Sequence, residues 1–244
     1  MDLYDRIGHG YAKRRVSDPT IAAEIRKRLG DARSVLNVGA GTGSYEPNDV
    51  EVVAVEPSRE MIGQRTDNSN VVRAYAEALP FDDDAFDAVM AVLTIHHWKD
   101  QRLGLQECQR VARKRIVLVT WDPASDGFWL TRDYFPEIIE RDIEIFCSME
   151  LLGEVLGEID ITKLRIPADC RDGFLASYWK RPERYLDSEV RAGISAFSLI
   201  SDVDSRIDSL RENIESEEWE RSNRDITALV SIDAGYRIVT AETP

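Results

Sequence analysis

The sequence lacks most features that would tie it to a membrane, an oxidising compartment or a metal. No apolar run approaches the ~18 residues that a membrane-spanning helix needs. Met1 is followed by Asp2 and a charged segment, so no apolar signal-peptide core is expected. Cysteine is scarce. Cys108, Cys147 and Cys170 are odd in number and widely spaced, which argues against a disulfide framework and against a zinc knuckle. Histidine is equally rare, with His9, His96 and His97 only. No His-x-x-x-His or acid-plus-His set stands at ligand spacing, so no metal is expected. These absences predict a cytoplasmic chain with reduced thiols.

Positive charge is also in short supply. The 244 residues carry 31 Lys plus Arg against 45 Asp plus Glu, a formal net charge of −14. That deficit argues against a nucleic-acid partner, whose phosphates are met by Lys and Arg clusters. It argues equally against attachment to an anionic membrane surface. The distribution is uneven: residues 1–35 are net +3 and the remainder is net −17. With 43% apolar and 31% charged residues, a packed core is expected and global disorder is not.

The first half alternates short apolar runs with helical stretches. Strands are predicted at Ser34–Val38, Glu51–Val55, Val71–Tyr75, Phe86–Val92 and Arg115–Trp121. Asp18–Pro19 opens a helix that Gly30 closes, with Pro at the first helical position and Gly just past the end. Further helices are predicted from Ser58 to Gln64 and over 100–112. Strands separated by such helices imply right-handed crossovers and a parallel sheet. Beyond Pro123 the pattern changes. Residues 127–146 are aromatic without a clear period. Met149–Leu156 is a short helix, Ile161–Ile166 a strand, 183–224 mostly helical, and Tyr236–Ala241 a last strand. No internal repeat or low-complexity linker appears. One domain is expected, with a helical insertion between its last two strands.

The sharpest local feature is Val35-Leu-Asn-Val-Gly-Ala-Gly-Thr-Gly43, at the carboxyl end of the first strand. Glycines there permit a tight turn and close approach of a ligand to the main chain. Glu56 ends the second strand thirteen residues later, where a carboxylate can accept from both hydroxyls of a ribose. The G-x-G-x-G spacing departs from the dinucleotide fingerprint G-x-G-x-x-G, and no Gly-Lys-Ser/Thr follows to make a P-loop.

With Val53-Ala-Val-Glu-Pro-Ser58, Ala76-Glu-Ala-Leu-Pro-Phe81, Phe86-Asp-Ala-Val89, Ile95-His-His-Trp98 and Glu107-Cys-Gln-Arg-Val-Ala112, the loop resembles the class I S-adenosylmethionine-dependent methyltransferases. The likeness is strongest to the group similar to the ubiquinone/menaquinone biosynthesis C-methyltransferases and covers residues 35–121. It implies a Rossmann-like, doubly wound α/β fold: a mostly parallel seven-stranded sheet with the last strand antiparallel. It divides the chain into an N-terminal lid and first helix (1–33), a cofactor-binding core (34–123), a substrate side with the insertion (124–235) and the last strand (236–244).

The resemblance also implies a site for S-adenosyl-L-methionine. Gly39, Ala40, Gly41 and Gly43 face its methionine part, and Glu56 holds the ribose. Pro57 and Ser58 flank the adenine, whose edge meets Tyr75, Ala76 and Glu77. Leu93 and Thr94 pass under the sulfonium. Asn37 stands where such relatives usually carry Asp or Glu, and Tyr75 where Asp often meets the adenine amine. The usual Pro-Gly-Gly before the fifth strand is missing. In the lid, Tyr4, Tyr11 and Arg15 are expected near the methionine carboxylate, for which a guanidinium is well shaped.

Methyl transfer from a sulfonium needs alignment and exclusion of water more than acid–base help. His96 and His97 are the candidate bases, for acceptors that must lose a proton. As neighbours in an extended segment they should point to opposite sides. The acceptor side is expected from the aromatic group Trp98, Trp121, Trp129, Tyr134, Tyr178 and Trp179, part of which must instead fill the core of the insertion. The expected function is methylation of a small apolar or aromatic molecule. The alternatives are a tRNA- or protein-directed enzyme, marked by a basic docking face, and a cofactor-binding protein without turnover. Oligomeric state is not legible.

Overall fold

The computed structural model describes residues 11–68 and 70–243. Its centre is a seven-stranded sheet built from β1 (Ser34–Val38), β2 (Glu51–Val55), β3 (Val71–Val72), β4 (Phe86–Val92), β5 (Ala112–Trp121), β6 (Ile159–Lys163) and β7 (Tyr236–Glu242). The spatial order is β3-β2-β1-β4-β5-β7-β6. β1 to β5 pair in parallel, and β7 runs antiparallel to both β5 and β6. The order reverses between β1 and β4, which opens a crevice at their carboxyl ends.

Both faces of the sheet are covered, which explains the nearly continuous apolar strands. Val35, Ala88, Met90, Val117 and Val119 point into one core, and Leu36, Val38, Val89, Ala91 and Leu118 into the other. α1 (Pro19–Leu29) buries Ile21, Ile25 and Leu29, one stripe at four-residue spacing. Asp18 caps it by accepting from the Thr20 and Ile21 amides, and Gly30 closes it at φ 60°. α2 is Arg59–Gly63, capped by Ser58. α3 (Gln101–Val111) is capped by Asp100 and buries Leu105, Cys108 and Val111.

Several boundaries differ from expectation for physical reasons. β3 ends at Val72, because only Ala54 and Val55 of β2 pair with it. α3 runs straight into β5, which starts at Ala112 instead of Arg115. The turn is unnecessary because Arg113 and Lys114 both reach Asp87 across the sheet. The aperiodic stretch 127–146 holds a π-turn (Leu130–Tyr134) followed by α4 (Pro136–Ile145). α5 is Met149–Leu156, and β6 starts two residues earlier than predicted.

The insertion between β6 and β7 holds short helical turns, one longer helix, α6 (Val203–Glu215), and a two-stranded antiparallel ladder that pairs Ile166–Pro167 with Ser231–Ile232. Its core is aromatic. Trp179 is fully buried and its indole N–H donates to the carbonyls of Ile166 and Pro167 at 3.0 and 3.1 Å. The Trp129 indole donates to the Trp179 carbonyl at 2.7 Å, and its ring meets Tyr185 and Trp219 edge-on. A large side chain with its polar atom satisfied internally is a structural anchor. Truncating Trp179 to Ala should therefore cost about 3–5 kcal/mol of stability. Urea unfolding of the two proteins checks this, the expected result being a lowered midpoint with an unchanged slope.

Candidate active site

The glycine loop leaves β1 under tight control. The amides of Gly39 and Ala40 donate to the Val55 carbonyl at 2.8 and 3.0 Å, and Gly43 N–H closes a turn on the Ala40 carbonyl. Gly39 adopts φ 69°, and a Cβ there would lie 2.0 Å from the Thr94 hydroxyl oxygen. Only glycine allows the loop to sit this close to the end of β4. Glu56 is buried at the bottom of the same crevice. Its carboxylate accepts from the Gly41 amide at 2.8 Å and the Ser58 amide at 2.9 Å, so one side chain holds both the loop and the turn before α2.

These elements line a first cavity of about 1010 Å³, a volume that includes its open mouth. Its walls include Arg15, Asn37, Gly39, Ala40, Gly41, Glu56, Pro57, Ser58, Tyr75, Ala76, Glu77, Leu93 and Thr94. Gly43 is not among them; a Cβ there would meet Arg65 and Glu46 behind the loop, so it shapes the turn. Tyr4 and the Tyr11 side chain lie outside the described residues. The Glu77 carboxylate accepts from the amides of Lys99 and Asp100, and the Lys99 ammonium sits 5.0 Å from the centre of the exposed Tyr75 ring.

A second cavity, of about 760 Å³ with its open mouth included, shares Leu93 and Arg15 on its wall with the first. Its walls are largely aromatic and apolar, among them Trp121, Phe128, Phe146, Phe174 and Tyr236, with His96, Arg141 and Asp142 as polar members. Of the six aromatics expected on the acceptor side, Trp121 lines this cavity. Trp98 lines the first one instead, packed over Gly104 of α3. Trp179 is in the core of the insertion, and Trp129, from the segment before α4, is buried against it. Tyr134 is held by the Asn213 amide, and Tyr178 packs on Tyr185 beneath two arginines. None of these four reaches either cavity, because the insertion needs them for its own packing.

His96 and His97 lie on a 3₁₀ turn, Ile95–His97, not on an extended segment. Their rings are 3.9 Å apart between centres and serve different cavities, His97 the first and His96 the second. Loss of solvent, reinforced by the Arg141 charge, holds His97 down to about 4. Burial, together with His97, Arg141 and Arg15, pushes His96 well below its usual value. Both are neutral at pH 7 and weak bases.

Nothing in the sequence singles out Tyr45, yet it organises the rim. It is buried at φ 66°, and its hydroxyl donates to Asp172 at 2.8 Å. Asp172 is fully buried and takes a side-on pair from Arg15, Nε at 2.6 Å and Nη2 at 3.0 Å. The Arg15 guanidinium expected near a ligand carboxylate is thus joined to a protein carboxylate. Thr42, Ser44 and Met61 also line the first cavity. Among the described residues, no group of three or more His, Cys, Asp or Glu side chains could hold a metal ion. No helix among them is long and apolar enough to cross a membrane.

The chain is similar to known proteins. A family model described as a methyltransferase domain matches residues 36–120. A protein of Anabaena variabilis, whose crystal structure is described as a methyltransferase from an antibiotic biosynthesis pathway, is 34% identical. The match covers 93% of this chain and 98% of that one, with a TM-score of 0.85. The O-methyltransferase resE of Aspergillus sclerotiorum is 28% identical over 64% of this chain and 66% of its own length. The ubiquinone/menaquinone biosynthesis C-methyltransferase UbiE of Hahella chejuensis is 27% identical over 51% of this chain and 54% of its own. The chain spans about half the length of most curated relatives it matches.

The neutral histidines give folding a pH dependence of definite sign. In the unfolded chain an imidazole titrates near 6.5. In the folded one His97 resists protonation down to about 4. The unfolded state therefore binds more protons in that window, and stability present above pH 6.5 is lost as pH falls toward 4. His97 should contribute about 2–3 kcal/mol to this loss. Denaturation midpoints at pH 7.5 and 5 test it: His97→Gln should flatten the difference.

Proposed function

The chain belongs to the class I S-adenosylmethionine-dependent methyltransferases, and on that premise we propose that it methylates a small apolar or aromatic molecule held in the second cavity. The observation that carries this proposal is the meeting of two unlike cavities at Leu93 and Arg15. One is lined by backbone amides and a buried carboxylate, the other by aromatic rings.

The first cavity suits the donor on its own chemistry. Asn37 is buried on its wall; its amide nitrogen donates to Glu46 at 3.0 Å, while its Oδ1 has no partner among the described residues. A ligand ammonium would satisfy that acceptor. Glu56 would take the two ribose hydroxyls from below, already fixed by Gly41 and Ser58. Pro57, Met61 and Ala76 offer apolar surface for a purine. When bound, the sulfonium donor supplies a methyl carbon whose bond to sulfur breaks with its electron pair going to sulfur, as an acceptor lone pair forms the new bond.

The residues around the junction act mainly by position. Leu93 and Thr94 follow the last residue of β4; Leu93 and Arg15 line both cavities, and Thr94 lines the first. His96 lines the second cavity as a neutral imidazole that can hold a hydroxyl proton by hydrogen bonding. The net charge of −17 beyond residue 35 weighs against an RNA acceptor, and the same composition suits the cytosol.

Calorimetry with S-adenosylhomocysteine tests the donor half. Glu56→Gln removes charge-assisted hydrogen bonds and should weaken binding by about 1–3 kcal/mol, roughly 5- to 150-fold. An unchanged affinity overturns the ribose assignment. Transfer of labelled methyl from S-adenosylmethionine into a low-molecular-weight metabolite extract tests turnover.

A further inference from the structure

We propose that the second cavity is built for an aromatic acceptor bearing an anionic oxygen, carboxylate or phenolate, which Arg141 holds beside His96. This deepens the function proposed above and rests on its assignment of the two cavities.

The inference starts from polar atoms left without partners. Arg141 lies on α4 and lines the second cavity. Its Nη2 donates to the neighbouring Asp142 at 2.9 Å. Its Nε and Nη1 are buried and have no acceptor among the described residues. A guanidinium is always charged and carries five N–H donors that a folded protein ordinarily satisfies. Asp142 answers one of them and leaves the rest unmet. An adjacent partner of this kind balances the charge without filling the donor set.

His96 supplies the second observation. Its Nδ1 is buried and equally without a partner, and it lines the same cavity. Its ring stacks on Phe146 at 4.1 Å between centres with planes 22° apart, which fixes where that nitrogen points. Two residues carrying three polar atoms without partners among the described residues thus line one cavity, beside Arg15, Thr131, Asp142, Ser195 and a larger set of rings and aliphatic groups. Such a site fits a mostly apolar ligand with one strongly accepting substituent. Charge-assisted hydrogen bonds in a desolvated pocket favour an anionic oxygen over a neutral one. Because the two cavities share Leu93 and Arg15 on their walls, an acceptor anchored here would lie beside the donor cavity.

The test uses the full chain saturated with S-adenosylhomocysteine and two matched probe pairs, read by calorimetry. 2-Naphthoate is compared with neutral 2-naphthamide, and 2,4-dinitrophenolate with neutral 2,4-dinitroanisole. The anion of at least one pair should bind ten-fold or more tightly than its neutral twin, and the larger preference separates carboxylate from phenolate. Arg141→Met should abolish the preference and Arg141→Lys should retain part of it. Arg132→Met, which alters an exposed arginine paired with Asp133, should leave it unchanged. If Arg141→Met fails to fold because Asp142 is left buried, Arg141→Met with Asp142→Asn removes both charges and answers the same question. Equal binding within both pairs, no binding of any probe, or a preference that survives loss of Arg141 overturns the proposal. S-adenosylhomocysteine binding in the same samples separates the two levels. If it is retained without anion preference, only the anchor fails; if it is absent from the wild type, the two-cavity assignment fails as well.

Discussion

The arrangement of this molecule depends on one buried carboxylate. Asp172 is fully enclosed and receives Arg15 from the N-terminal segment, the Tyr45 hydroxyl from beyond the glycine loop, and the amide of Gly173 at 2.6 Å. Three parts of the chain, distant in sequence, are joined at one point. Taking a carboxylate and a guanidinium out of water costs several kcal/mol per ion, so such a pair adds little net stability. Its effect is on geometry: a misplaced partner leaves a charge buried and unpaired, and alternative packings are penalised. Neighbouring contacts repeat the same connection. The Arg171 amide donates to Asp18, and a Cβ on Gly173 would lie 2.2 Å from the Arg14 carbonyl oxygen. The N-terminal strap and the insertion therefore meet with no room between them, and they meet where the two cavities join.

That junction explains why the two histidines are poor bases without being idle. A histidine near Arg141 and Arg15, with little solvent, is held neutral. Transfer from a sulfonium has a good, neutral leaving group, so a strong base is not the scarce resource; a fixed line between donor and acceptor is. Glu56 shows the same logic on the donor side. Its oxygens organise Gly41 and Ser58 before any ligand is present, so the carboxylate is set in place by the backbone it would otherwise have to find.

How much of this was legible in the sequence follows from how local each feature is. β1, β2 and β4, the glycine loop and Glu56 are written in contiguous residues, and their spacing carries the crevice with it. The α1 caps, Asp18 and Gly30, are equally local. Tyr45, Arg141 and the Asp172 knot are not, since the Asp172 contacts join residues 127 and 157 positions apart, with no periodicity to announce them. The aromatics of the insertion fail differently. Trp129 and Trp179 have the composition of a ligand pocket, but an indole serves a core as well as a cavity. The choice is made by which carbonyl lies in reach, Trp179 O for one and Ile166 O and Pro167 O for the other. His96 and His97 do not alternate as neighbours in an extended strand would. The chain turns into a 3₁₀ segment at that point, and the rings face different cavities by that route instead.

Leu93 shows how the turn is imposed. It follows the last residue of β4 at φ 52°, an unfavourable region for a branched side chain, and its amide is tied to the Val119 carbonyl at 2.8 Å. Such strain persists only when the surroundings over-determine it. Here the β5 hydrogen bond holds the backbone from one side, and Thr94 is pressed against Gly39 from the other. The result is a leucine presented to both cavities at their shared edge, where a flexible or polar residue would let water through. Gly39 and Leu93 thus form one device. The glycine yields space so that the strand end can come close, and the strained residue after the strand uses that closeness to stand on the wall of both cavities.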